Sequence, residues 1–353
     1  MPDFLKWGET FPVNSFSVII PARNEAANIS KLLESLQQQN YPGHLFEIIV
    51  VDDHSTDETA QIVRGFENVQ LIQLKEDAIN SYKKKAIETG IYAAVNDWIV
   101  CTDADCVAHT NWLSVFDQFI QQQQPVFIAA PVSLLPAKNQ HGQRPINLLY
   151  IFQALDFLTL QGITAASVNT KKHNMCNGAN LAYKREVFFE VNGFAGIDHI
   201  ASGDDMLLMH KIWARYPDKI SYLKSKNAII ETDAAPGWKA FFNQRIRWAS
   251  KATSYEDKRI FKVLLLVYLF NVSFLILFIA SFFNIIYLYS LIVLLLLKTI
   301  VEIPFVSSVS RFFNLQHLLK YFLFFQPLHI VYTIISGFLG SFGKYEWKGR
   351  RVK

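Results

Sequence analysis

From Val263 to Leu297 the chain runs for 35 residues without a charged side chain. A helix rises about 1.5 Å per residue and a bilayer's hydrocarbon core is about 30 Å thick, so the run is too long for one crossing and suits two short ones. A turn is expected near Ser281–Asn284. Buried helices of soluble proteins seldom go so long without charge. Lys298 and Glu302 then interrupt an apolar continuation through Val306, and a further uncharged run, Tyr321–Gly343, carries Pro327 and His329. The expected spans are 260–282, 285–307 and 320–342, followed by a basic tail, 344–353. Composition agrees: 51% hydrophobic against 18% charged residues excludes a disordered chain, and a net charge of +4 does not single out nucleic acid as partner. Three cysteines make no disulfide framework, and their spacing suits no closed zinc site.

Met1–Trp7 lacks the basic and apolar regions of a signal peptide. Residues 1 to about 255 are therefore expected in the cytosol, with the first span leading outward from an inner (cytoplasmic) membrane. Lys251, Lys258, Arg259 and Lys262 at its start agree with the positive-inside bias. Three spans would place Lys344, Lys348, Arg350, Arg351 and Lys353 outside, against that bias. The third run is thus either a span or a re-entrant segment.

Ahead of the spans the pattern changes. Phe16–Pro21, Phe46–Val51, Val69–Ile72, Trp98–Thr102 and Val126–Ala130 are short apolar runs, several β-branched, alternating with helix-period stretches such as Ile29, Leu32, Leu33, Leu36 and Lys83–Ala94. This alternation predicts an α/β fold with a mostly parallel sheet covered on both faces. Ligands then collect beyond the carboxyl ends of the strands, where this chain places Asp52, Asp53, Asp103 and Asp105. No glycine fingerprint follows the first strand and no Walker A loop occurs, which disfavours dinucleotide-binding and P-loop domains.

In an extended Asp103–Ala104–Asp105 both carboxylates face one way and suit a cation shared with a diphosphate, although a solvated turn has the same pattern. Adjacent Asp52 and Asp53 repel unless something binds them, and Ser55 or Thr56 is placed to cap the next helix. Gly203–Asp204–Asp205, after Ser202, is either a turn or the seat of a general base. Gln244–Arg245–Ile246–Arg247–Trp248 interleaves cations and aromatics on an expected helix, fit for the membrane interface or for a diphosphate beside a sugar. The apolar stretch from Gln140 to Ser167 reads as a core helix, a bilayer-resting segment or an acceptor groove.

Taken together, these motifs resemble those of the family 2 glycosyltransferases, inverting enzymes with a GT-A fold, in their membrane-attached branch of cellulose, chitin, hyaluronan and poly-N-acetylglucosamine synthases. The resemblance implies a nucleotide-sugar-binding domain over 15–235 after a short extension (1–14), then an interfacial helix over 236–259, then the spans. It places Pro21, Ala22, Glu25 and Asp52 or Asp53 around the nucleotide and Lys83 near its diphosphate. It makes Asp103 and Asp105 the holders of Mg²⁺ or Mn²⁺, and Asp205, beside Asp204, the base. Asn177 and Gly178 fall in the donor-sugar loop, and Gln244, Arg245, Arg247 and Trp248 in the motif that holds diphosphate and acceptor. His54 stands where relatives carry glycine. The implied partners are a UDP-sugar, a lipid-linked or glycan acceptor and the bilayer, with no nucleic acid. Single transfer and processive polymer synthesis both remain open, as does an inactive membrane scaffold.

Overall fold

In the computed structural model, described here for residues 3–4, 11–76, 81–139, 142–172, 175–200, 203–250, 258–342, 345–347 and 350–352, the elements follow one another as expected, with additions. They are β1 (Phe16–Ala22), α1 (Ile29–Gln37), β2 (Phe46–Asp52), α2 (Thr59–Arg64), β3 (Val69–Gln73), α3 (Tyr82–Ala93), β4 (Trp98–Cys101), β5 (Cys106–Ala108), α4 (Trp112–Gln123), β6 (Phe127–Ala129) and β7 (Val132–Leu135). Then come α5 (Leu148–Thr170), β8 (Leu181–Lys184), α6 (Arg185–Glu190), α7 (Met206–Arg215), β9 (Ile220–Tyr222), β10 (Ile230–Asp233), α8 (Trp238–Ala249), α9 (Lys258–Ala280), α10 (Ile285–Phe312) and α11 (Phe322–Phe342). Ser202, Lys251, Lys344, Lys348 and Lys353 lie outside the described residues, as do the side chains of Lys258, Arg259, Arg350 and Arg351.

The chain divides into two compact units. The first holds residues 1–133 and 163–233, and is built on a seven-stranded sheet ordered β3-β2-β1-β4-β8-β6-β9. Its first four strands are parallel, set by β-branched runs buried on both faces, with Val18 beside Ile48 and Val100. Ile29, Leu32, Leu33 and Leu36 of α1 are wholly buried, each worth about 1.5–3 kcal/mol of transfer free energy. Gly90 lets α3 close onto β1, since a Cβ there would come within 2.7 Å of Ile19 Cγ2. The sheet departs from a purely parallel one at β8, which pairs antiparallel with both β4 and β6. Leu181–Lys184 shows no helix-to-strand alternation that would announce it.

The second unit holds residues 134–162 and 234–353. Residues 134–162 thus leave the continuous α/β domain expected over 15–235. Among the described residues, four helices are long and apolar enough to cross a membrane: α5, α9 from Ile260, α10, and residues 316–341, which hold most of α11. Connectivity excludes α5, because β6 before it and β8 after it are neighbours in one sheet, so both its ends return to the same side. Its apolar residues are instead buried in protein. Helix α9 ends at Ala280, and Asn284 caps α10 by accepting from the Ile286 amide at 2.9 Å. Leu266, Val267, Leu269, Ile276, Ile286, Ile300 and Val301 are exposed apolar residues along this pair, as lipid contact requires. Lys298 and Glu302 do not end α10, which continues to Phe312. Lys298 Nζ donates to Glu302 at 2.8 Å and to Gln326 Oε1 at 2.5 Å, so neither charge is left alone.

Candidate active site

In the first unit the loops beyond β1 and β2 are stitched together by side chains. The Asn24 amide donates to Ser55 Oγ at 2.9 Å, Asn24 Oδ1 accepts from the Thr56 amide at 2.8 Å, and the Glu25 amide donates to Thr59 Oγ1 at 2.8 Å. Ser55 and Thr56 therefore do not cap α2 as expected. Asp57 bonds its first turn instead, accepting from the Thr59 amide at 3.0 Å and the Ala26 amide at 3.1 Å. The reason is local: Asn24 and His54 both adopt left-handed backbone, at φ 51° and 53°, turning the two loops toward each other. Glycine reaches that conformation without cost, whereas His54 adopts it with a side chain in place.

Asp52 and Asp53 are almost fully buried. Asp52 accepts from the Ser55 amide at 3.2 Å and Gln73 Nε2 at 3.3 Å. Asp53 lies 3.0 Å from His54 Nδ1 and 3.8 Å from Arg23 Nη1. The mutual repulsion expected of adjacent carboxylates is thus met by separate donors. Pro21 and Ala22 sit beside Val51 and Asp52 at the ends of β1 and β2, and buried Glu25 accepts from Asn28 Nδ2 at 3.0 Å.

Carboxylates from two segments converge on one lysine. Lys83 Nζ donates to Asp103 Oδ1 at 2.7 Å and lies 3.2 Å from Asp204 Oδ2. Burial alone would pull the Lys83 ammonium down, but Asp103, Asp204 and Asp205 together hold it well above the usual lysine range. Asp205 caps α7, accepting from the Met206 amide at 2.7 Å through one oxygen and from the Gly178 amide at 3.1 Å through the other. A Cβ on Gly178 would stand 3.1 Å from Asp204 Oδ2 and 3.4 Å from Lys83 Nζ, so the missing side chain is what lets the loop touch the charges. Asn177 steadies that loop by accepting from the Ala179 amide at 3.0 Å.

Asp103 and Asp105 flank buried Ala104 in a turn between β4 and β5, not in the extended segment expected; both are half-exposed. Asp105 Oδ1 lies 3.8 Å from Cys106 Sγ. Among the described residues no three His, Cys, Asp or Glu side chains are clustered to cage a metal ion. Two carboxylates alone suit an ion that takes its other oxygens from a diphosphate and water, which is how Mg²⁺ is commonly held. The donor set therefore fits Mg²⁺ or Mn²⁺ in company with a nucleotide.

One contributor leaves no mark in the sequence. Lys84 is buried and donates to the Ile197 and Ile200 carbonyls at 2.7 and 2.6 Å, tethering the loop that leads to Asp204. In the run Lys83–Lys84–Lys85 nothing distinguishes a buried lysine from a solvated one.

The Gln244–Trp248 motif lies on α8 in the second unit, and there Arg245 is turned inward. It is 4% exposed, and its Nε and Nη2 donate to Asp156 Oδ2 at 2.9 and 2.6 Å while Nη1 donates to Gln244 Oε1 at 2.8 Å. Its guanidinium is spent on a buried carboxylate and not turned out toward a diphosphate. Asp156 demands it, because an unpaired buried charge is costly. Trp248 is half-buried, with Arg245 stacked 4.3 Å from its ring centroid and Phe157 6.1 Å away, so one face of the indole is taken. Arg247 remains half-exposed.

Comparison with known proteins agrees with this geometry. Residues 17–191 match Glycosyl transferase family 2. Glycosyltransferase AglE of Haloferax volcanii is 37% identical over 101 residues, 28% of this chain and 32% of that protein. The poly(ribitol-phosphate) beta-N-acetylglucosaminyltransferase TarS of Staphylococcus aureus is 31% identical over 129 residues, 36% of this chain and 22% of that one. The match thus spans between about a fifth and a third of these curated relatives. Among solved structures, the mannosyltransferase PcManGT of Pyrobaculum calidifontis, in complex with GDP-Man and Mn²⁺, superposes with a TM-score of 0.54 at 18% identity, over 92% of this chain and 87% of that one. Residues 17–191, just under half of the chain, thus match Glycosyl transferase family 2, in a chain with a GT-A fold followed by apolar helices of membrane-spanning length.

Proposed function

We propose that the protein transfers a sugar from a UDP-sugar to a hydroxyl of a membrane-associated acceptor, with inversion at the anomeric carbon. The observation that carries this reading is the convergence of Lys83, Asp103, Gly178, Asp204 and Asp205 in one cluster. Asp205 is held by two backbone amides and takes the acceptor proton as the oxygen attacks opposite the diphosphate. Lys83 brings fixed positive charge to where charge develops on the leaving group. Asp103 and Asp105 would hold Mg²⁺ or Mn²⁺, which supplies further neutralisation of the diphosphate when bound. Attack from the far side needs no sugar–enzyme intermediate.

The test is Asp205→Asn, which keeps the side chain's size, gives up one of its two accepted amide bonds and removes the base. Donor binding is expected to persist while transfer falls at least about 100-fold, within the range such catalysis contributes. EDTA is expected to abolish transfer, with Mg²⁺ or Mn²⁺ restoring it. Full transfer by Asp205→Asn removes the assignment. Product length on a gel separates single transfer from polymer synthesis.

A further inference from the structure

Helix α11 is long enough to span a membrane, but its contacts lie across the α9–α10 hairpin and not along it. Near its start, Gln326 accepts from Lys298 Nζ at 2.5 Å and donates to Glu302 at 2.7 Å, both on α10. Eleven residues later, Gly337 packs against the Tyr268 ring of α9, where a Cβ would come within 2.8 Å. At about 1.5 Å per residue, Tyr268 lies ~18 Å from the turn that joins α9 to α10, and Lys298 and Glu302 lie ~20 and ~26 Å from it. The two contact points on α11 are ~17 Å apart along its own axis, yet they meet the hairpin at depths that differ by at most ~8 Å. A helix with that pair of contacts is inclined to the hairpin by roughly 60° or more.

Its neighbours agree. Helix α8 accompanies α11 in the same direction: Phe241 stands 5.4 Å from Tyr332, and Ala249 Cβ is 2.7 Å from the place a Gly340 Cβ would take. Helix α8 carries Lys239, Asn243 and Arg247, a composition for the interface and not for the hydrocarbon. On α11 itself, Phe324, Val331, Ile335 and Phe338 are exposed and share one face by their spacing of seven, four and three. Gln326, Tyr332 and Ser336 on the other side are buried against protein. Phe325 and Ile330 are buried with them, so α11 turns one apolar stripe outward and covers the rest with protein, as an in-plane helix can. Its depth of ~18–26 Å from the hairpin turn, in a core about 30 Å thick, leaves it within reach of the interface from which α9 starts.

We propose that α11 lies in the plane of that interface, with its Phe324–Phe338 stripe on lipid, so that the chain crosses the membrane only by α9 and α10. Residues 344–353 then stand on the same side as the residues before α9. That placement returns Lys344, Lys348, Arg350, Arg351 and Lys353 to the side favoured by the positive-inside bias, which a third span would violate.

The test uses the full chain with Cys176→Ser, leaving buried Cys101 and Cys106 in place. Nitroxide labels on Phe324→Cys and Phe338→Cys, introduced one at a time in phospholipid vesicles, are read for depth by collisional relaxation. Depths that differ by no more than about 10 Å are expected, whereas a spanning helix separates the two by ~21 Å. If either variant fails to insert, Leu323→Cys and Leu339→Cys give the same comparison. In parallel, an impermeant maleimide is applied to each side of sealed membranes. Phe283→Cys in the hairpin turn and Lys353→Cys are expected to react from opposite sides. Reaction of both from one side, or a depth difference near 20 Å, overturns the proposal.

Discussion

Lys83 is the residue on which the candidate site turns, and its ionisation has a signed consequence. Its folded-state value is raised, so it contributes stability that is fully present below the unfolded lysine value of about 10.4 and fades as pH climbs toward the folded one. Lys83→Met is therefore expected to destabilise the protein by a constant amount between pH 7 and 9. The difference from wild type should shrink only above about pH 10.4, as read by denaturant unfolding at a series of pH values. The cysteines give a second check. Burial pushes the Cys101 thiol up to about 12, helped by Asp204 and opposed by its contact with Tyr183. Burial, with Asp105 and Asp103 nearby, also raises Cys106 well above the usual thiol value. Only the thiolate reacts, so at pH 8 the native protein should take up one alkyl group, at half-exposed Cys176, and three after denaturation, as counted by mass spectrometry.

Between elements, the Arg245–Asp156 pair joins α8 to α5, and the Tyr332 hydroxyl of α11 donates to the same carboxylate. Arg245→Met leaves Asp156 buried without its counter-charge and is expected to cost about 3–5 kcal/mol. Asp156→Leu combined with Arg245→Met should recover most of that loss, measured by thermal unfolding in detergent. Recovery marks a junction of helices; continued loss of transfer in a stable double variant would show that the pair also positions Gln244 and Trp248. The sequence showed the strands of the parallel half because β-branched runs ending in acids leave a local signature, and it placed Asp103, Asp204 and Asp205 on loops that do meet. It did not show β8, whose four residues take their identity from partners on either side. Nor did it show that Arg245 turns inward, since its partner Asp156 lies 89 residues away on an apolar helix and no local pattern couples the two.

For the whole molecule, the division into units does not follow the chain. Leu148–Gly162 of α5 belongs with the helical unit while β6 before it and β8 after it belong to the seven-stranded sheet. A chain truncated after Asp233 is therefore expected to behave poorly despite containing all seven strands. It would keep Phe152, Leu155, Phe157 and Leu158, buried in the full chain, without α8, α10 and α11 to cover them. Exposed apolar patches of this size drive association. Size-exclusion chromatography without detergent should show aggregate, and a monomer there would refute the shared-helix arrangement.

The same excursion orders events during synthesis. Strand β4 has β1 on one flank from the outset, but its other flank belongs to β8, about 80 residues downstream. At roughly 5–20 residues per second the ribosome leaves that edge open for about 4–16 seconds. In that interval the growing chain exposes both an unpaired strand and the apolar α5, before the α9–α10 hairpin exists to commit it to a membrane. The nascent protein is thus at its most vulnerable between residues 101 and 181, and a factor that shields apolar segments at the tunnel exit would have to act there.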